Sequence, residues 1–475
     1  MDDPILDQID NLNAEEIVKD LLRSWSRIRT TYQLQIRRFR FKEQDKKELG
    51  QLAQSLYQKY NNPQSSAQNK VVWDEGIFNQ FFSVWLYGKE TYPLFAYPYH
   101  LLIAESLNSN LFNQILESLS SMYITLERFS ETFWQERWSV KAKLSGTDLK
   151  ILKEFFKICD ASSSIGFPNT LEIWRSDLNF SKSTAQARYQ RLLALEIIIR
   201  RSIINYAKLG LIPLLKIYNQ NDTPSETELL FSTWGSSLPP DKFIRLLVIP
   251  ERSSFWYNHS ARDVYVLQFR CSGVNINLFD GIRWRIDVKH HQLDDGSSKT
   301  TDFTLPQWKM DFTSVNRFPF VSSDLNLLTE LVSTPERQIK YLGSRAGLKN
   351  SGYVPKRLQQ LRNAGIFQTY FGLYNVGLNK RYSLWSRGEE NELQTLYHWI
   401  RLLPRYFIFK SDRGLFALTW LSEEVEGVFL ERCSFFQETL REFSYGYLDY
   451  FISPTLSLPN LWNEEKEIWE SEPEL

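Results

Sequence analysis

The feature that most constrains the fold of this chain is an internal repeat. Three segments of its first part match three later segments in the same order, at offsets of about 176, 169 and 164 residues. Matches that keep their order at similar spacing indicate a tandem duplication of a composite unit rather than coincidence. The matched pairs are Leu144–Phe156 with Val321–Val332, Ala187–Ile198 with Lys356–Phe367, and Thr227–Pro239 with Asn391–Pro404.

The first half of each unit has the pattern helix, helix, turn, helix and two strands. Its first helix opens with a Ser or Asp cap followed by apolar residues at helical spacing. Gly347 suits the turn and Gly365 a left-handed helix end, while Pro355 places the start of the third helix near Tyr353 or Val354. The predicted helices are 170–177 and 181–193 in the first copy and 324–332, 337–346 and 351–363 in the second, and the predicted hairpins are 197–204 with 212–218 and, in the second copy, 366–384.

Two segments resemble a known protein family. Phe180–Leu192 and Gly352–Phe367 are similar to the recognition helix and wing entry of prokaryotic winged-helix transcription regulators, in particular the leucine-responsive (Lrp/AsnC-like) group and its archaeal relatives. The resemblance covers roughly residues 145–219 and 321–387, with a lengthened connection at 160–169 as a departure. It implies an α+β protein in which tandem winged helix-turn-helix modules alternate with ferredoxin-like α/β sandwich domains.

Length and strand patterns extend this interpretation to the whole chain. At 475 residues the chain is too long for one hydrophobic core. Strand-like runs follow the predicted modules at 243–249, 264–270, 284–288, 405–409 and 415–420, the last before a helix at 425–443. The predicted divisions are an N-terminal helical segment (1–65), an α+β domain (66–143), a first winged helix (144–220), an α+β sensor or association domain (221–318), a second winged helix (319–387), an α+β C-terminal domain (388–460) and an acidic tail (461–475).

The third helix and the wing of each predicted module carry the candidate DNA contacts. In a winged helix the third helix enters the major groove, where Arg and Lys suit phosphates and guanine and Gln and Asn suit adenine. In the first copy the candidates are Lys182, Ser183, Gln186, Arg188, Gln190 and Arg191 on the helix, and Arg200, Arg201 and Lys208 on the wing. In the second copy they are Lys349, Asn350, Ser351, Tyr353, Lys356, Arg357 and Gln360 on the helix, and Lys380 and Arg381 on the wing.

The distribution of charge supports a phosphate-binding face, although the formal net charge is zero. Ten basic residues and one acidic residue lie between Pro335 and Arg387, and a glutamate-rich tail, which we expect to be disordered, balances them. A second basic stretch, Arg23–Lys42, has no acidic residue and interleaved aromatic residues. This stretch is either an arm that binds nucleic acid or a solvated helix face followed by a strand.

Candidate catalytic groups are few in the sequence. His290 and His291 lie near three aspartates, but adjacent histidines on a strand point in different directions, which disfavours a metal site. No phosphate-binding glycine loop, nucleophile elbow or zinc-protease motif occurs in the sequence. We therefore predict no enzymatic activity, no catalytic residue, no metal ligand and no cofactor.

The main interpretation is a DNA-binding transcriptional regulator that reads duplex DNA through two winged helices. Its strand-rich domains would serve ligand sensing or self-association, so a small-molecule effector and a homodimer are further partners that it allows. Three widely spaced cysteines, no signal peptide and no membrane-spanning apolar run predict a cytoplasmic, nucleoid-associated protein. Two alternatives stay open, a replication initiator of plasmid or viral type and a protein-interaction scaffold that binds no DNA.

Overall fold

The structure is a computed structural model, and its described residues form two compact units. It describes residues 4–32, 105–119, 123–125, 128–129, 132, 141–161, 180–219, 222, 232–238, 240–250, 263–286, 308–311, 318–333, 342–343, 346–348, 352–448, 451–452, 458–466 and 468–469. The first unit contains the described residues up to Lys143 together with 194–196 and 375–377, and the second contains the others. The second helix predicted at 170–177, and most of that predicted at 337–346, lie outside the described residues.

The first unit is mainly helical where it is described. Its helices are α1 (Pro4–Asp10), α2 (Glu16–Thr31) and α3 (Leu111–Leu119). Trp25 of α2 is buried against Phe112 of α3, with the ring centroids 5.0 Å apart in an edge-to-face arrangement. Arg23, which begins the basic stretch, forms ion pairs with Asp10 and Glu16. The described start of that stretch is therefore helical, and its part beyond residue 32 lies outside the described residues.

The second unit has mixed helix and strand structure. Its first part contains α4 (Gly146–Ala161), α5 (Lys182–Ala194), β1 (Ile198–Ile204), β2 (Leu211–Asn219), β3 (Ser232–Leu238), β4 (Lys242–Pro250), β5 (Val264–Val274) and β6 (Trp308–Asp311). Its second part contains α6 (Ser322–Ser333), α7 (Tyr353–Asn363), β7 (Phe367–Leu373), β8 (Lys380–Arg387), α8 (Glu390–Ile400), β9 (Arg405–Ser411), β10 (Gly414–Leu421), α9 (Glu423–Thr439), β11 (Glu442–Tyr447), β12 (Phe451–Ile452), β13 (Trp462–Asn463) and β14 (Ile468–Trp469).

The first and third helices of each repeat are confirmed. α4 and α6 are the first helices, and α5 and α7 begin within two residues of the predicted starts of the third helices. α7 begins at Tyr353, so Pro355 lies in its first turn, where the missing N–H costs no helical hydrogen bond. Gly365, just beyond α7, has the expected left-handed backbone, with φ of +72°.

A large antiparallel sheet dominates the second unit. Its strand order is β11-β8-β10-β9-β5-β2-β4-β3-β12, with β6 also paired to β5. Only three residues separate β11 at one end of this order from β12 at the other, and so short a connection cannot span the width of nine flat strands. The sheet therefore curls back on itself. One face carries an aromatic-rich buried cluster that includes Trp234, Trp385, Phe409 and Phe416. The predicted α+β class is therefore confirmed.

The sheet consists of two halves with the same strand order. The strands of each half can be numbered one to four along the chain, as β2–β5 in the first half and β8–β11 in the second. In both halves the spatial order across the sheet is four, one, three, two. The fourth strand of the first half, β5, pairs with β9 of the second. Reciprocally β12, which follows β11, pairs with β3 of the first half. Each half therefore adds a strand to the other, as expected of a duplicated unit with internal two-fold symmetry.

The two predicted hairpins are wrong. β1 pairs along its whole length with β7 of the other copy rather than with β2, and β2 and β8 both belong to the large sheet. The N–H of Asn205 donates to the carbonyl of Ile366 at 2.7 Å, and the N–H of Tyr374 donates to that of Ile197 at 2.9 Å. These two bonds are equivalent under the repeat. Alternating polar and apolar residues identify a strand and its buried face, but they do not identify its partner.

The C-terminal acidic segment is packed where it is described, so the expectation of a disordered tail is wrong for residues 461–466 and 468–469. Leu458, just before it, is 0% exposed, and the indole Nε1 of Trp469 donates to the carbonyl of Leu209 at 2.7 Å. Trp462 and Trp469 both pack against the ring of Phe320. Burial of these large rings outweighs the charge of the glutamates between them.

Two strand and helix boundaries near the sheet also differ from prediction. α9 ends at Thr439, so Phe443 belongs to the following strand β11 rather than to the helix. The strand predicted at 284–288 is represented among the described residues by a single bridge between Phe279 and Trp284. In the described part of the chain, no helix is both long and apolar enough to cross a membrane.

Candidate functional site

The third helices α5 and α7 each expose a polar face. Their apolar residues are buried: Ala185, Tyr189 and Leu192 on α5, and Val354, Leu358 and Leu361 on α7. The exposed candidates are Lys182, Ser183, Gln186 and Gln190 on α5, and Tyr353, Lys356 and Gln360 on α7. Lys349, Asn350 and Ser351 lie outside the described residues. These exposed side chains keep the accessibility that DNA binding requires.

Three arginines predicted to contact DNA are instead held by buried aspartates. Asp324, 2% exposed, accepts hydrogen bonds from Nε and Nη2 of Arg357 at 2.7 and 2.5 Å. Asp148, 0% exposed, accepts one from Nη1 of Arg191 at 2.8 Å and lies 3.7 Å from Nη1 of Arg188. The hydrogen bonds to Asp324 raise the pKa of Arg357 above its ordinary value. These ion pairs engage the three charges within the fold, and DNA contact by these arginines stays a prediction.

The same two aspartates cap the first helices of the repeats. The backbone N–H of Ser145 donates to Asp148 at 2.9 Å, and that of Val321 donates to Asp324 at 3.1 Å. Each carboxylate therefore satisfies an N–H at a helix start and also joins the first helix to the third. The equivalence of the two arrangements supports the duplication at the first two sequence matches. The third match, Thr227–Pro239 with Asn391–Pro404, is wrong, because Ser232–Leu238 is a strand and Glu390–Ile400 is a helix.

The basic residues predicted on the wings occupy other places, because no hairpin wing forms. Arg200 lies in β1 and is 2% exposed. Lys208 belongs to a short 3-10 helix at Tyr206–Leu209. Lys380 and Arg381 lie in β8 of the large sheet, and Nζ of Lys380 is 3.5 Å from a carboxylate oxygen of Glu426. Arg201 also lies in β1, where it contributes to a different site.

A group of arginines and tyrosines forms this different site, near the paired strands β1 and β7. Arg201 lies opposite Tyr370 in the β1–β7 pair. Tyr374 follows β7, while Arg270 lies in β5 and Arg405 begins β9. The charges of Arg201, Arg270 and Arg405 all act on Tyr370. We call these five residues the arginine–tyrosine cluster.

Arg405 is the most enclosed cation of the cluster. It is 5% exposed, and its guanidinium carbon lies 4.0 Å from the ring centroid of Tyr374 and 4.3 Å from that of Trp420. Its Nη1 donates to the carbonyl oxygen of Leu373 at 3.1 Å. Two aromatic faces and one carbonyl thus hold the guanidinium in place, and cation–π attraction stabilises it there.

Arg270 is held in a similar way on the neighbouring strand. Its guanidinium carbon lies 5.0 Å from the ring centroid of Phe409 and 5.4 Å from that of Phe407. Its buried Nε has no hydrogen-bond partner among the described residues. Burial lowers the pKa of Arg270, and nearby Tyr370 offsets this only in part. Among the residues that the structure describes, neither Arg270 nor Arg405 forms an ion pair with a carboxylate.

The two tyrosines of the cluster differ in acidity. Burial alone would raise the pKa of Tyr374, but the charges of Arg405 and Arg201, and hydrogen bonds to both, lower it to about 8. Burial raises the pKa of Tyr370 above its usual range, and the arginines oppose this only in part. Tyr374 is therefore the group that can exchange a proton near neutral pH, whereas Tyr370 stays a hydrogen-bond donor.

We expect one tyrosine of the folded chain to ionise with a midpoint near pH 8, as followed by the ultraviolet absorbance of tyrosinate. Unperturbed tyrosines ionise near pH 10, so this step is separate from most of the others. Tyr374→Phe should remove the step. Tyr370→Phe is the matched control and should keep it. A step that survives in Tyr374→Phe would assign it to another residue.

The opposite face of β5 and β9 supports the cluster from behind. Tyr406 lies opposite Gly273, where a Cβ atom would overlap the Tyr406 ring. Tyr397 of α8 donates to the sulfur of Cys271 at 4.0 Å, and burial raises the pKa of Tyr397 to about 12. These tyrosines stay protonated at neutral pH, so this face is packing rather than acid–base machinery.

A narrow cleft opens beside the cluster. Its lining includes Cys159 of α4, Gly273, Tyr370, Arg405 and Phe407. Its free volume is about 10 Å³, room for about one water molecule. The cleft itself can therefore admit a single polar group of a ligand, and the remainder of a bound ligand would lie outside it.

The other sequence candidates for chemistry gain no support from the described residues. His290 and His291 lie outside them. Within the described part of the chain, no group of three or more His, Cys, Asp and Glu residues could hold a metal ion. Cys159, Cys271 and Cys433 are all free thiols and all buried.

Comparison with known proteins gives limited similarity. No protein-family model matches the chain, and no curated protein matches it. Two solved structures of the siroheme decarboxylase NirDL are similar to it at 10% sequence identity, each covering 65% of this chain and 96% of NirDL. The TM-score is 0.36 for the complex of NirDL with an iron-uroporphyrin III analogue and 0.37 for NirDL alone.

The prediction that the chain is not an enzyme is contradicted by this comparison. Both similar structures are of an enzyme. The sequence argument relied on the absence of familiar catalytic motifs, and a site assembled from arginines and tyrosines on separate strands carries no such motif. At this level of similarity, neither the activity nor the ligand of NirDL is transferred to the chain.

Sequence reasoning missed four of the five residues in the cluster and placed the fifth, Arg201, on a wing. One signal was present in the sequence: arginines inside apolar strands, at Arg270 in β5 and Arg405 in β9. A charged side chain in a strand with buried neighbours on both sides requires a partner, because burial of an unpaired charge is costly. This signal identifies the two arginines as candidates, but it does not predict that their strands pair with each other.

Proposed function

We propose that this chain is an enzyme that binds a carboxylate-bearing substrate at the arginine–tyrosine cluster. The observation that carries the proposal is Arg405, a cation 5% exposed that forms no ion pair with a carboxylate among the described residues. Holding a buried charge without an anion is unfavourable, and a bound carboxylate removes that cost. Arginine suits this task because its planar fork can bind both oxygens of a carboxylate.

Tyr374 is the proposed acid–base residue of this site. Its pKa of about 8 leaves most of it protonated at pH 7, and the two arginines stabilise the phenolate when it gives up the proton. A bound carboxylate would partly neutralise those arginines and so favour the protonated form. Tyr374 is therefore set to donate a proton to the substrate after binding.

The proposal also includes the finer fold assignment suggested by the resemblance to Lrp/AsnC-like proteins. We interpret the two halves of the large sheet as ferredoxin-like domains, on the support of their shared order of fourth, first, third and second strands. We interpret α4 with α5, and α6 with α7, as parts of two winged helices. The equivalent ion pairs of Asp148 with Arg191 and of Asp324 with Arg357 join the first helix to the third in each copy and support this interpretation.

Loss of the Arg405 charge should weaken carboxylate binding. We expect Arg405→Gln to lower the affinity for carboxylates at least tenfold, measured by titration calorimetry with glutarate and with iron-uroporphyrin III as probes. The second probe is a carboxylate-bearing porphyrin, and its analogue is the ligand of a NirDL structure. Arg405→Lys, which keeps the charge but loses the fork, should bind with intermediate affinity.

The control for this experiment is Arg285→Gln, which removes an exposed arginine paired with Asp280. It should bind both probes as the unmodified chain does. Thermal melting of each variant reports whether it is folded. If the unmodified chain binds neither probe, or if folded Arg405→Gln binds them equally well, the cluster is not a carboxylate site.

A second candidate function is duplex DNA binding, alone or as regulation by the bound ligand. The observation that favours it is the exposed polar face present on both α5 and α7, with Lys182 on one and Lys356 on the other. Most of the arginines that the sequence assigned to this function are paired or buried. The carboxylate proposal therefore explains more of the cationic residues than the DNA proposal does.

A further inference from the structure

Two arginines of the cluster lie near one aromatic residue, Phe407. The guanidinium carbon of Arg405 lies 6.0 Å from the ring centroid of Phe407, and that of Arg270 lies 5.4 Å from the same centroid. These distances place the two guanidinium groups within about 11 Å of each other. Phe407 also lines the cleft.

The backbone places both arginines on the same face of the sheet. In the β5–β9 pair, Arg270 lies opposite Phe409, and Arg405 lies opposite Val274. Residues opposite each other in antiparallel strands share a face, and so do alternate residues along one strand. Phe407 and Phe409 are both in the aromatic cluster on that face. One ligand can therefore reach both cations without crossing the sheet.

The strands equivalent to β5 and β9 under the repeat carry no such cations. These are β11, the fourth strand of the second half, and β3, the second strand of the first half. Their sequences, EFSYGY and STWGSSL, contain no arginine and no lysine. The duplication therefore provides this pair of cations once, so each chain should bind one ligand.

We propose that the ligand is a dicarboxylate, one acid group bound at Arg405 and the other at Arg270, with an apolar portion against Phe407. This inference rests on the proposed function and narrows its substrate class. Two linked acid groups bind more tightly than one, because the first contact raises the effective concentration of the second. An apolar middle section suits the Phe407 ring, because burying apolar surface against the ring is favourable and burying a carboxylate there is not.

The test compares acids that differ only in the second carboxylate. Titration calorimetry of the full chain would use succinate, glutarate, adipate, pimelate and suberate, each against the monocarboxylate of the same carbon number. We expect at least one dicarboxylate to bind at least tenfold more tightly than its matched monocarboxylate, with one site per chain. Arg270→Gln should abolish the difference between each dicarboxylate and its matched monocarboxylate, while Arg285→Gln should leave that difference as it is in the unmodified chain.

The outcomes separate this inference from the proposed function. Equal affinity for mono- and dicarboxylates, both lost in Arg405→Gln, would overturn the dicarboxylate and keep the carboxylate site. No binding of any acid would overturn both. If Arg270→Gln fails to fold, the comparison of matched acids on the unmodified chain decides. A stoichiometry of two per chain would contradict the single site.

Discussion

Replacement of Leu458 by alanine should lower the free energy of unfolding by about 3 kcal/mol, within the roughly 2–5 kcal/mol typical of buried leucines. Leu458 is 0% exposed and packs with Leu325, Leu328 and Leu358 in one core cluster. The shorter side chain leaves a cavity that the surrounding helices cannot fill without moving. Urea denaturation followed by tryptophan fluorescence measures the loss, because Trp462 and Trp469 report on the same region.

Ile468→Ala is the matched control, since Ile468 lies in the same C-terminal segment and is 46% exposed. It should change the free energy of unfolding by no more than about 0.5 kcal/mol. An equal loss of stability in both variants would mean that the burial of Leu458 is not what makes this segment stabilising. No loss in Leu458→Ala would show that residues 458–469 do not contribute to the core.

The course of this segment shows what sequence patterns can and cannot predict. The glutamates after Asn463 indicated a solvated tail, yet Leu458, Trp462 and Trp469 pack against the second copy of the repeat. Charge and hydrophobicity averaged over the segment hide a few large apolar residues among acidic ones. Each tryptophan can bury a large ring while neighbouring glutamates stay in water, so the average does not decide the fold.

Local periodicity predicted the helices and most strands, because both depend on residues close in sequence. The helix at Tyr353–Asn363 and the strand at Gly414–Leu421 needed only spacing and caps. Partners of strands depend on distant residues. The isoleucine-rich strand at Ile198–Ile204 satisfied the pattern of a hairpin arm equally well, but its actual partner lies in the other copy of the repeat.

The candidate site was beyond sequence reasoning for the same reason. Arg270 and Arg405 are far apart in the chain and become neighbours only because the fourth strand of one half pairs with the second strand of the other. The repeat was visible in the sequence, but the exchange of strands between its copies was not. Arg201, which the sequence assigned to a DNA-binding wing, joins the cluster through the same exchange.

Replacement of Arg357 by alanine should lower the free energy of unfolding by about 3–5 kcal/mol, the cost of removing one partner from a buried ion pair. The change leaves Asp324, 2% exposed, without its two hydrogen bonds from the guanidinium and so without a counter-charge. Urea denaturation measures the loss. Lys356→Ala, one residue away on the exposed face of α7, is the matched control and should leave stability within about 0.5 kcal/mol.

The same pair of variants also tests the DNA-binding candidate, because each variant is expected to change a different quantity. Lys356→Ala should change the DNA affinity and not the stability, and Arg357→Ala should change the stability and not the DNA affinity. If α7 binds duplex DNA, Lys356→Ala should weaken binding and lower the log–log salt slope by about one, as one phosphate contact is lost. Folded Arg357→Ala should bind DNA as the unmodified chain does, since Asp324 holds its guanidinium away from the surface. Normal stability with reduced DNA affinity in Arg357→Ala would return this arginine to the DNA interface that the sequence first suggested. Unchanged DNA affinity in Lys356→Ala would instead remove α7 from any DNA interface and leave carboxylate binding as the function of the cationic residues.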